Sequence, residues 1–487
     1  MESYLEPSRI LLIVHVLIAL VIAVRVVMSR PGPGVGLAWI LLVESLPFVG
    51  AGVYLLIGER RIGLRRAHRI AALRVDFAKI SEAAIGEGLT DIDWSRHPPS
   101  ARAMDTLGRK TTGSPTVRGS RFQLVTDTLE ILRTIAGEID RARFSVLMEF
   151  YIWHKGGLAD DVVEALVRAA QRGVFCVVLV DAIGGGPWWR SQQPRRLRQA
   201  GVKVRPALPV GLFRTVVGRT DLRLHRKIIV IDGETAWTGS MNLVDPRFFK
   251  QGKGFGEWVD AMVRLEGGVV AELAATVIWD WALETGESVY ELLENTHLER
   301  LKPDGPADIQ VIPSGPVETQ DCLLQMLLAL INAAETEVVL TTPYLVPDDA
   351  MTRAIRGAAG RGVKVTLIVP ENVDSFLTRH ASRSYFSDLL DMGVEIRLYQ
   401  GGLLHTKSIA VDEAMSMFGT VNLDYRSLWL NYEVALFVYD GEFTKQLGAL
   451  HRSYLEDSRR LDRAAWNARP YGRRLLENTL RLASPLL

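Results

Sequence analysis

Histidine, lysine and aspartate recur in this chain at one fixed spacing, at residues 225–232 and again at residues 405–412. Both copies have the form H-x-K-x4-D, and each is followed at the same distance by Gly-[Ser/Thr]-x-Asn. One such match arises easily by chance, but two with the same trailing segment indicate a duplicated site. The candidate catalytic residues are His225, Lys227, Asp232, His405, Lys407 and Asp412.

An imidazole beside an ammonium group suits chemistry at phosphorus. Alternate residues of a strand share a face, so His225 and Lys227 point the same way, as do His405 and Lys407. Imidazole acts as nucleophile or acid near neutral pH, and lysine supplies positive charge to phosphate oxygens. Covalent phosphodiester exchange needs two imidazoles, one to attack phosphorus and one to protonate the leaving alkoxide. The duplication therefore predicts one site built from both copies.

The motif aspartates fall on the other face of their strands. Asp232 lies five residues beyond Lys227 and seven beyond His225, and Asp412 repeats these offsets. Strict alternation separates them from the histidines, so we interpret both aspartates as closing their strands.

Each histidine then needs another carboxylate to fix its tautomer. Glu257 and Glu433 follow the two histidines at similar offsets and are the candidate histidine-orienting residues, with Asp260 as the rival to Glu257. The Gly-[Ser/Thr]-x-Asn segments offer hydroxyl and amide donors for the phosphate or for the catalytic groups. The candidate phosphate-binding residues are Ser240, Asn242, Thr420 and Asn422.

Strand-like and helix-like segments alternate around each motif, which indicates an α/β fold. Apolar strands at 144–152, 174–181 and 201–205 precede the first motif, and strands at 337–344, 363–370 and 393–397 precede the second. The repeat thus covers whole half-domains and predicts two similar lobes related by a pseudo-twofold axis. The first half carries an extra apolar and basic segment at 208–219. This insertion suits either a rim that dips into lipid or a packed surface loop.

Two apolar runs at the N-terminus, residues 10–28 and 35–57, are each close to the length of a membrane-spanning helix. A cleaved signal peptide is the alternative for the first run. The lack of a small-residue cleavage site and the presence of the second run favour a two-helix transmembrane hairpin. Glu44 and Pro47 leave open a re-entrant or interfacial second segment. The arginines after residue 59 predict that the catalytic part and the N-terminus lie in the cytoplasm.

Composition narrows the class of protein further. The net charge of the 487 residues is +1, so the whole molecule is not an electrostatic nucleic-acid binder. Cys176 and Cys322 lie in apolar segments with no Cys/His cluster nearby, and we expect no metal site and no cofactor. Residues 94–120, rich in Pro, Gly, Ser, Thr and Arg, are interpreted as a linker or irregular lead-in. The expected organisation is 1–58 membrane segments, 59–118 basic helix and linker, 119–305 first lobe and 306–487 second lobe.

These motifs resemble the two-copy phospholipase D superfamily, and within it the bacterial cardiolipin synthases. The resemblance is carried by residues 404–412, 419–431, 238–249 and 311–316 and by the two-segment membrane lead-in. It implies two phospholipase D-type lobes of mixed sheets flanked by helices, sharing one site, in a multi-pass protein of the bacterial inner membrane. Thr420 departs from the serine of many relatives but keeps the hydroxyl.

The resemblance also implies the reaction. One phosphatidylglycerol is attacked by a histidine, glycerol leaves, and a second phosphatidylglycerol takes the phosphatidyl group to give cardiolipin. His225 would be the nucleophile and His405 the acid and base, without a metal. The expected partners are phosphatidylglycerol and membrane lipid, not nucleic acid, with a homo-oligomer left open. The motifs alone do not choose His225 over His405.

Other functions share these motifs. Hydrolysis to phosphatidic acid and transfer to another head group, as in a phosphatidylserine-type transferase, use the same first step. The membrane hairpin disfavours a nuclease, because a nuclease gains nothing from a membrane anchor. The four intact histidine and lysine side chains disfavour a non-catalytic membrane scaffold. Four further residues fit two interpretations equally well, as the lining of a substrate path or as surface packing. They are Trp188, Trp189, Arg379 and Arg383.

Overall fold

The computed structural model describes residues 7–58, 68–70, 73, 88–209, 221–252, 254–316, 321–482 and 484. The arginine-rich segment after residue 58 and residues 210–219 of the insertion lie outside these ranges. The described residues before Arg69, with Asp221 and Leu222, form one compact unit. All others form a second unit, which contains both motifs.

The N-terminal unit begins with α1 (Pro7–Ser29), followed by α2 (Pro33–Ser45), α3 (Val49–Val53) and a π-helical turn (Tyr54–Gly58). With 23 residues, α1 is about 35 Å long, enough to cross a bilayer. It is the one described helix that is long and apolar enough to do so. The second predicted span is not one continuous helix, because the chain turns at Leu46–Phe48, where Pro47 lacks an amide donor.

The described residues of the second unit form one sheet of fifteen strands and two small two-stranded sheets. The strands before residue 270 are β1 (Thr116–Val125), β2 (Ser145–Phe150), β3 (Phe175–Asp181), β4 (Lys203–Ala207), β5 (Ile228–Ile231), β6 (Thr235–Gly239), β7 (Trp258–Val259) and β8 (Met262–Glu266). The later strands are β9 (Ala307–Ser314), β10 (Glu337–Thr341), β11 (Leu345–Val346), β12 (Lys364–Pro370), β13 (Glu395–Tyr399), β14 (Leu403–Leu404), β15 (Ser408–Val411), β16 (Met415–Gly419), β17 (Leu423–Asp424), β18 (Glu433–Val438) and β19 (Ser458–Arg460).

The strand order of the large sheet shows the duplication. Outward from its centre, one half runs β1-β8-β6-β5-β2-β3-β4 and the other β9-β18-β16-β15-β10-β12-β13-β19. The two halves meet where β1 and β9 pair antiparallel, with Thr116 opposite Gln310. Apart from β19, each strand has a counterpart in the same place. The two lobes and their pseudo-twofold relation are therefore as predicted, but both lobes share a single sheet.

Helices cover the sheet and bury the core of each lobe. The helices of the first lobe and its lead-in are α4 (Pro99–Thr112), α5 (Thr128–Arg141), α6 (Leu158–Gln171), α7 (Gly186–Trp189), α8 (Gln193–Gln199), α9 (Val269–Thr285) and α10 (Val289–Glu294). The helices of the second lobe are α11 (Cys322–Asn332), α12 (Asp349–Gly360), α13 (Phe376–Asp391), α14 (Tyr425–Trp429), α15 (Gly441–Glu456), α16 (Arg463–Asn467) and α17 (Tyr471–Arg481). The apolar face of α6, at Val162, Val163 and Leu166, illustrates the packing, since all three are buried in the first core.

The prediction of an irregular segment at 94–120 is wrong. Helix α4 begins with Pro99 in its first turn and ends at Gly113 in the left-handed conformation. Its Ala101 and Met104 are buried in the core of the second lobe. Asp105 then accepts the amide of Thr116, the first residue of β1, at 2.8 Å. This segment is thus part of the folded unit.

Candidate active site

Each motif histidine is held by a strand of the opposite lobe. The amide of His225 donates to the carbonyl of Tyr432 at 2.8 Å, and that of His405 donates to the carbonyl of Val259 at 2.8 Å. The second contact extends the parallel pairing of β14 with β7. The lobes therefore exchange strand edges beside both histidines.

Two glycines permit the close approach of β14 and β7. A Cβ on Gly256 would lie 2.8 Å from Cα of Gly402, and one on Gly402 would lie 2.5 Å from the carbonyl oxygen of Glu257. Both glycines also have positive φ angles, of 78° and 136°. Any side chain at either position would separate the strands that bring His405 to the first lobe.

The exchange gives each imidazole a carboxylate from the other lobe. Nδ1 of His225 lies 2.8 Å from Oε2 of Glu433, and Nδ1 of His405 lies 2.7 Å from Oδ1 of Asp260. Glu433 is 0 % exposed and Asp260 is 1 % exposed. A carboxylate on Nδ1 keeps the proton on that nitrogen and leaves Nε2 as the free base. This is the arrangement a histidine nucleophile requires.

The sequence interpretation of these acids needs correction. Glu257 is exposed and does not orient a histidine, whereas its rival Asp260 does so, for His405. Glu433 does contact a catalytic histidine, but that of the first lobe rather than its own. The offsets along the chain identified the right region. They could not show that the lobes trade partners, because this depends on pairing between distant strands.

The two motif lysines are buried behind their histidines. Nζ of Lys227 donates to the carbonyl oxygen of His225 at 2.6 Å, and Lys407 donates in the same way to His405. Burial lowers the pKa of Lys227 to about 8 and that of Lys407 well below its usual value, against the attraction of nearby carboxylates. The field of Lys407 also lowers the pKa of His225, and that of Lys227 lowers the pKa of His405. The four side chains thus converge on one site.

Both imidazoles are neutral at neutral pH. Burial, opposed by Glu433 and Asp260, lowers the pKa of His225 and of His405 to about 4. A neutral Nε2 is ready to attack phosphorus. A phosphodiester anion bound here would raise the pKa of the other imidazole, so that this imidazole can carry the proton for the leaving group.

The hydroxyls of the Gly-[Ser/Thr]-x-Asn segments do not point to an open phosphate site. Ser240 donates to Asp260 at 2.6 Å, and Thr420 donates to Glu433 at 2.5 Å. Each hydroxyl also accepts a backbone amide of the neighbouring strand, at 3.0 Å. Their prediction as phosphate ligands is therefore corrected: they fix the carboxylates that orient the histidines.

The asparagines of the same segments keep free polar atoms. Oδ1 of Asn242 accepts the amide of Ile152 at 3.1 Å, while its buried Nδ2 has no partner among the described residues. Oδ1 of Asn422 is likewise buried without a partner in the described part of the chain. A buried donor without a hydrogen bond is costly, so the unpaired Nδ2 of Asn242 supports its role as a phosphate ligand. The unpaired atom of Asn422 is an acceptor, so Asn422 remains a candidate only through its own Nδ2.

The motif aspartates bind backbone amides at the turns after their strands, and among the described residues neither contacts a motif histidine. The carboxylate of Asp232 accepts the amides of residues 143–145, just before and at the start of β2. Asp412 accepts the amides of residues 335–337 in the same way at the start of β10. Both have positive φ angles, of 54° and 51°, at the turn after the motif strand. They tie that turn to the neighbouring strand.

Several residues around the histidines were missed in the sequence. Arg226, between the motif histidine and lysine, is 1 % exposed and donates to the carbonyl oxygens of Glu433 and Ser314 at 2.9 and 3.0 Å. It also pairs with buried Asp280. Its position between the two catalytic residues His225 and Lys227, just before an apolar strand, is the signal that could have identified it. It holds the strand that carries Glu433.

Aromatic rings cover both imidazoles. Tyr151 lies edge-on to His225 with ring centroids 5.0 Å apart, and Trp258 lies 4.2 Å from His405. These rings exclude water from one side of each imidazole. Trp188, in contrast, is buried and stacks on Trp153 at 4.8 Å, so it is a core residue of the first lobe.

Two lobes on one sheet, with a histidine and a lysine from each meeting at a buried site, define the class of phospholipase D-like proteins. The family model described as "Cardiolipin synthase, PLD-like domain" matches residues 135–252 and 327–453, the two motif-bearing regions. The chain belongs to this family.

Curated relatives match over nearly the whole chain. It is 42% identical to cardiolipin synthase A of Erwinia tasmaniensis over 490 residues, covering 99% of both chains. It is 41% identical to cardiolipin synthase A of Serratia proteamaculans over 467 residues, covering 96% of both. The solved structure of Haemophilus influenzae phosphatidylserine synthase matches with a TM-score of 0.59 and 14% identity, over 80% of this chain and 100% of that one. This likeness supports the fold.

Proposed function

We propose that this protein is a cardiolipin synthase that transfers a phosphatidyl group between two phosphatidylglycerol molecules. Membership of the PLD-like cardiolipin synthase family and relatives of that name over nearly the full length support a phosphatidyltransferase. The observation that carries the mechanism is the pair of imidazoles, each with a buried carboxylate on Nδ1.

The reaction proceeds in two displacements. The bound phosphodiester raises the pKa of His405, which first takes up a proton from solvent on Nε2. Nε2 of His225 then attacks phosphorus of the first lipid, the bond to the glycerol head group breaks, and the His405 imidazolium gives its Nε2 proton to the departing glycerol oxygen. His405 then takes the proton of a hydroxyl on the second lipid, whose oxygen attacks phosphorus and displaces Nε2 of His225. Both histidines return to the states they had just before the first attack. The geometry around the two histidines is nearly symmetric and does not distinguish their roles. The family resemblance is what assigns His225 as the nucleophile.

The charged groups hold the phosphodiester between the two imidazoles. Lys227 and Lys407 offset its negative charge, and Asn242 and Asn422 offer amide groups to its oxygens. Glu433 and Asp260 stabilise each imidazole when it becomes positive.

The products and the adduct test this proposal. Purified full-length protein given phosphatidylglycerol should release cardiolipin and glycerol in equal amounts. Phosphatidic acid without cardiolipin would instead establish a hydrolase. Rapid acid-free quenching with lipid labelled in its acyl chains, followed by peptide mass spectrometry, should find the phosphatidyl group on residue 225. An adduct on residue 405 would reverse the two histidine roles.

We place the protein at the bacterial inner membrane with its lobes on the cytoplasmic side. The apolar helix α1 and the arginines after residue 59 support a membrane anchor and this orientation. A multi-pass anchor requires that residues 33–58 also cross despite the break at Pro47. The division into lobes at 119–305 and 306–487, with α4 joined to the folded part, is likewise our proposal.

The orientation is open to direct measurement. Lys445→Cys creates an exposed thiol on α15, whereas both natural cysteines are buried. In intact cells with a permeabilised outer membrane, an impermeant maleimide should leave this thiol unlabelled until the inner membrane is opened. Labelling before opening would place the lobes outside.

A further inference from the structure

An excess of arginines lies where α13 and α17 pack together in the second lobe. We call this the arginine face; its arginines are Arg379, Arg383, Arg469, Arg473 and Arg474. Arg379, Arg469 and Arg473 all act electrostatically on Arg383, and Arg473 and Arg474 act on Arg469. The five side chains therefore form one cluster, although they come from separate helices and the turn before α17.

The positive charge of the arginine face is poorly compensated. Glu477 is buried and pairs with Arg469 at 2.7 Å and with Arg473 at 3.4 Å. Within the described ranges, it is the only carboxylate that forms an ion pair with any of the five. Nε of Arg379 is buried without a partner among the described residues, and its Nη2 reaches only the amide oxygen of Asn372, at 3.2 Å. Clustered cations with unused donors favour an anionic ligand.

Exposed apolar side chains border these arginines. Phe376 at the start of α13 is 63 % exposed, and on α17 Tyr471 is 77 % and Leu475 53 % exposed. Leu377 and Leu476 are also exposed. On α17 almost every side chain faces solvent, and the one that is buried is the carboxylate of Glu477. In a typical surface helix the apolar side chains face the core. In α17 the acid faces the core, and the leucines and arginines face solvent.

The arginine face begins at the edge of the active site. Two residues before Phe376, Asp374 accepts from Lys250 at 2.8 Å and from the hydroxyl of Tyr344 at 2.6 Å. Nζ of Lys250 also lies 5.2 Å from the ring centroid of Trp258, which covers His405. A surface that docks here would therefore lie close to a catalytic histidine.

We propose that the arginine face docks on the surface of an anionic phospholipid bilayer, with its arginines on lipid phosphates and its exposed apolar side chains at the acyl boundary. This rests on the proposed function, which makes an anionic lipid the substrate. Arginines beside exposed aromatic and leucine side chains are the composition of segments that bind such interfaces. Docking would keep the shared active site next to its lipid supply.

The test measures lipid contact rather than catalysis. Full-length protein carrying Leu475→Cys is labelled with a fluorophore and placed in nanodiscs that contain a nitroxide at the lipid head group. The matched control is Lys445→Cys on α15. Helix α15 packs on a different part of the lobe from α13, because its Phe443 contacts Phe418 and Phe122, whereas Phe386 of α13 belongs to a separate core cluster. We expect strong quenching at residue 475 and little at residue 445 in discs with phosphatidylglycerol. In purely zwitterionic discs the quenching at residue 475 should fall by about half, since the arginine contribution is lost.

Charge variants complete the test. R473Q/R474Q should lower quenching at residue 475 in anionic discs, whereas R353Q/R356Q, which changes two exposed arginines of α12, should not. Equal quenching at residues 475 and 445, or none at residue 475, would overturn the docking proposal, as would shielding of residue 475 by a second copy of the chain. Cardiolipin production is measured on the same samples. A sample that makes cardiolipin without quenching refutes the docking alone, and one that quenches without product refutes the function alone.

Discussion

Glu433 and Asp260 each serve the histidine of the opposite lobe, and their amide variants test this exchange. Glu433→Gln and Asp260→Asn keep the size of each side chain but remove the charge that fixes Nδ1–H and stabilises the imidazolium. We expect each to lower kcat by about 10⁴-fold, the effect of the same change in a serine protease triad. The measurement is the initial rate of cardiolipin formation at saturating phosphatidylglycerol.

Glu257→Gln is the matched control for these variants. Glu257 is exposed and touches neither histidine through its side chain, so its rate should stay near that of the unmodified protein. A large loss in Glu257→Gln with little loss in Asp260→Asn would restore the assignment made from sequence alone.

Buried neutral histidines make stability depend on pH. The pKa of His225 and of His405 is lowered to about 4, and that of His451 to about 3, in each case chiefly by burial. Unfolded histidine titrates near 6.5, so between about pH 6.5 and 4 the unfolded chain binds protons that the folded chain does not. Stability from this source is complete above that range and falls as the pH drops through it. Thermal melts at steps from about pH 7.5 to 5 should show the decrease.

His451 separates this effect from catalysis. Its Nε2 lies 2.8 Å from the hydroxyl of Ser408, and it lies on α15 outside the catalytic set. His451→Gln keeps a polar group there but does not titrate, so the acid decrease in Tm should become shallower by about a third. An unchanged slope would show that other groups dominate.

At the scale of elements, the turns after β5 and β15 depend on Asp232 and Asp412. Each carboxylate accepts three successive backbone amides just before and at the start of the neighbouring strand, β2 or β10. Asp232→Ala should reduce the free energy of unfolding by roughly 1–3 kcal/mol, because the amides lose a charged acceptor. Urea unfolding followed by fluorescence gives this difference. Activity per folded molecule should remain within a few-fold, whereas a loss as large as that of His225→Ala would indicate a direct catalytic role.

Local sequence patterns predicted most elements that position the site. The strands around both motifs were recognisable because they are continuous runs of β-branched and aliphatic residues, such as Ile228–Ile231. Helix α4 was missed, since its buried residues are Ala101, Met104, Asp105 and Gly108, which give almost no apolar signal. The second membrane segment was predicted as a spanning helix because its composition is apolar, with a re-entrant or interfacial segment left open by Glu44 and Pro47. Its break reflects one proline, whose effect on the backbone outweighs the apolar composition of the residues around it.

The site itself was predictable in its residue types but not in its pairing. His225 and Lys227 were placed on one face by alternation alone, and Asp232 on the other. The exchange of Glu433 and Asp260 depends on which strands of the two lobes meet at Tyr432 and Val259. No local pattern encodes such a long-range contact. For the same reason the hydroxyls of Ser240 and Thr420 were assigned to phosphate, although each contacts a carboxylate brought close by this packing.

At the scale of the molecule, the second unit should unfold as one. Its lobes share a sheet through β1 and β9, and each lobe completes the other's histidine site. Helix α4, which precedes the first lobe in the chain, is buried in the core of the second. Calorimetry of the detergent-solubilised protein should therefore show a single cooperative transition for the catalytic part, with no stable half-unfolded state. Two separated transitions, one for each lobe, would contradict this.

Because each histidine contacts a carboxylate of the opposite lobe, mutations in one repeat affect the function of the other. An ancestral half with its own histidine and its own acid would already have lacked a working pair within a single copy. Such a half would need a symmetric dimer, in which each copy supplies the acid for the histidine of the other. Selection on either histidine therefore acts on residues encoded in the opposite repeat, and neither repeat can be replaced alone without disabling its neighbour.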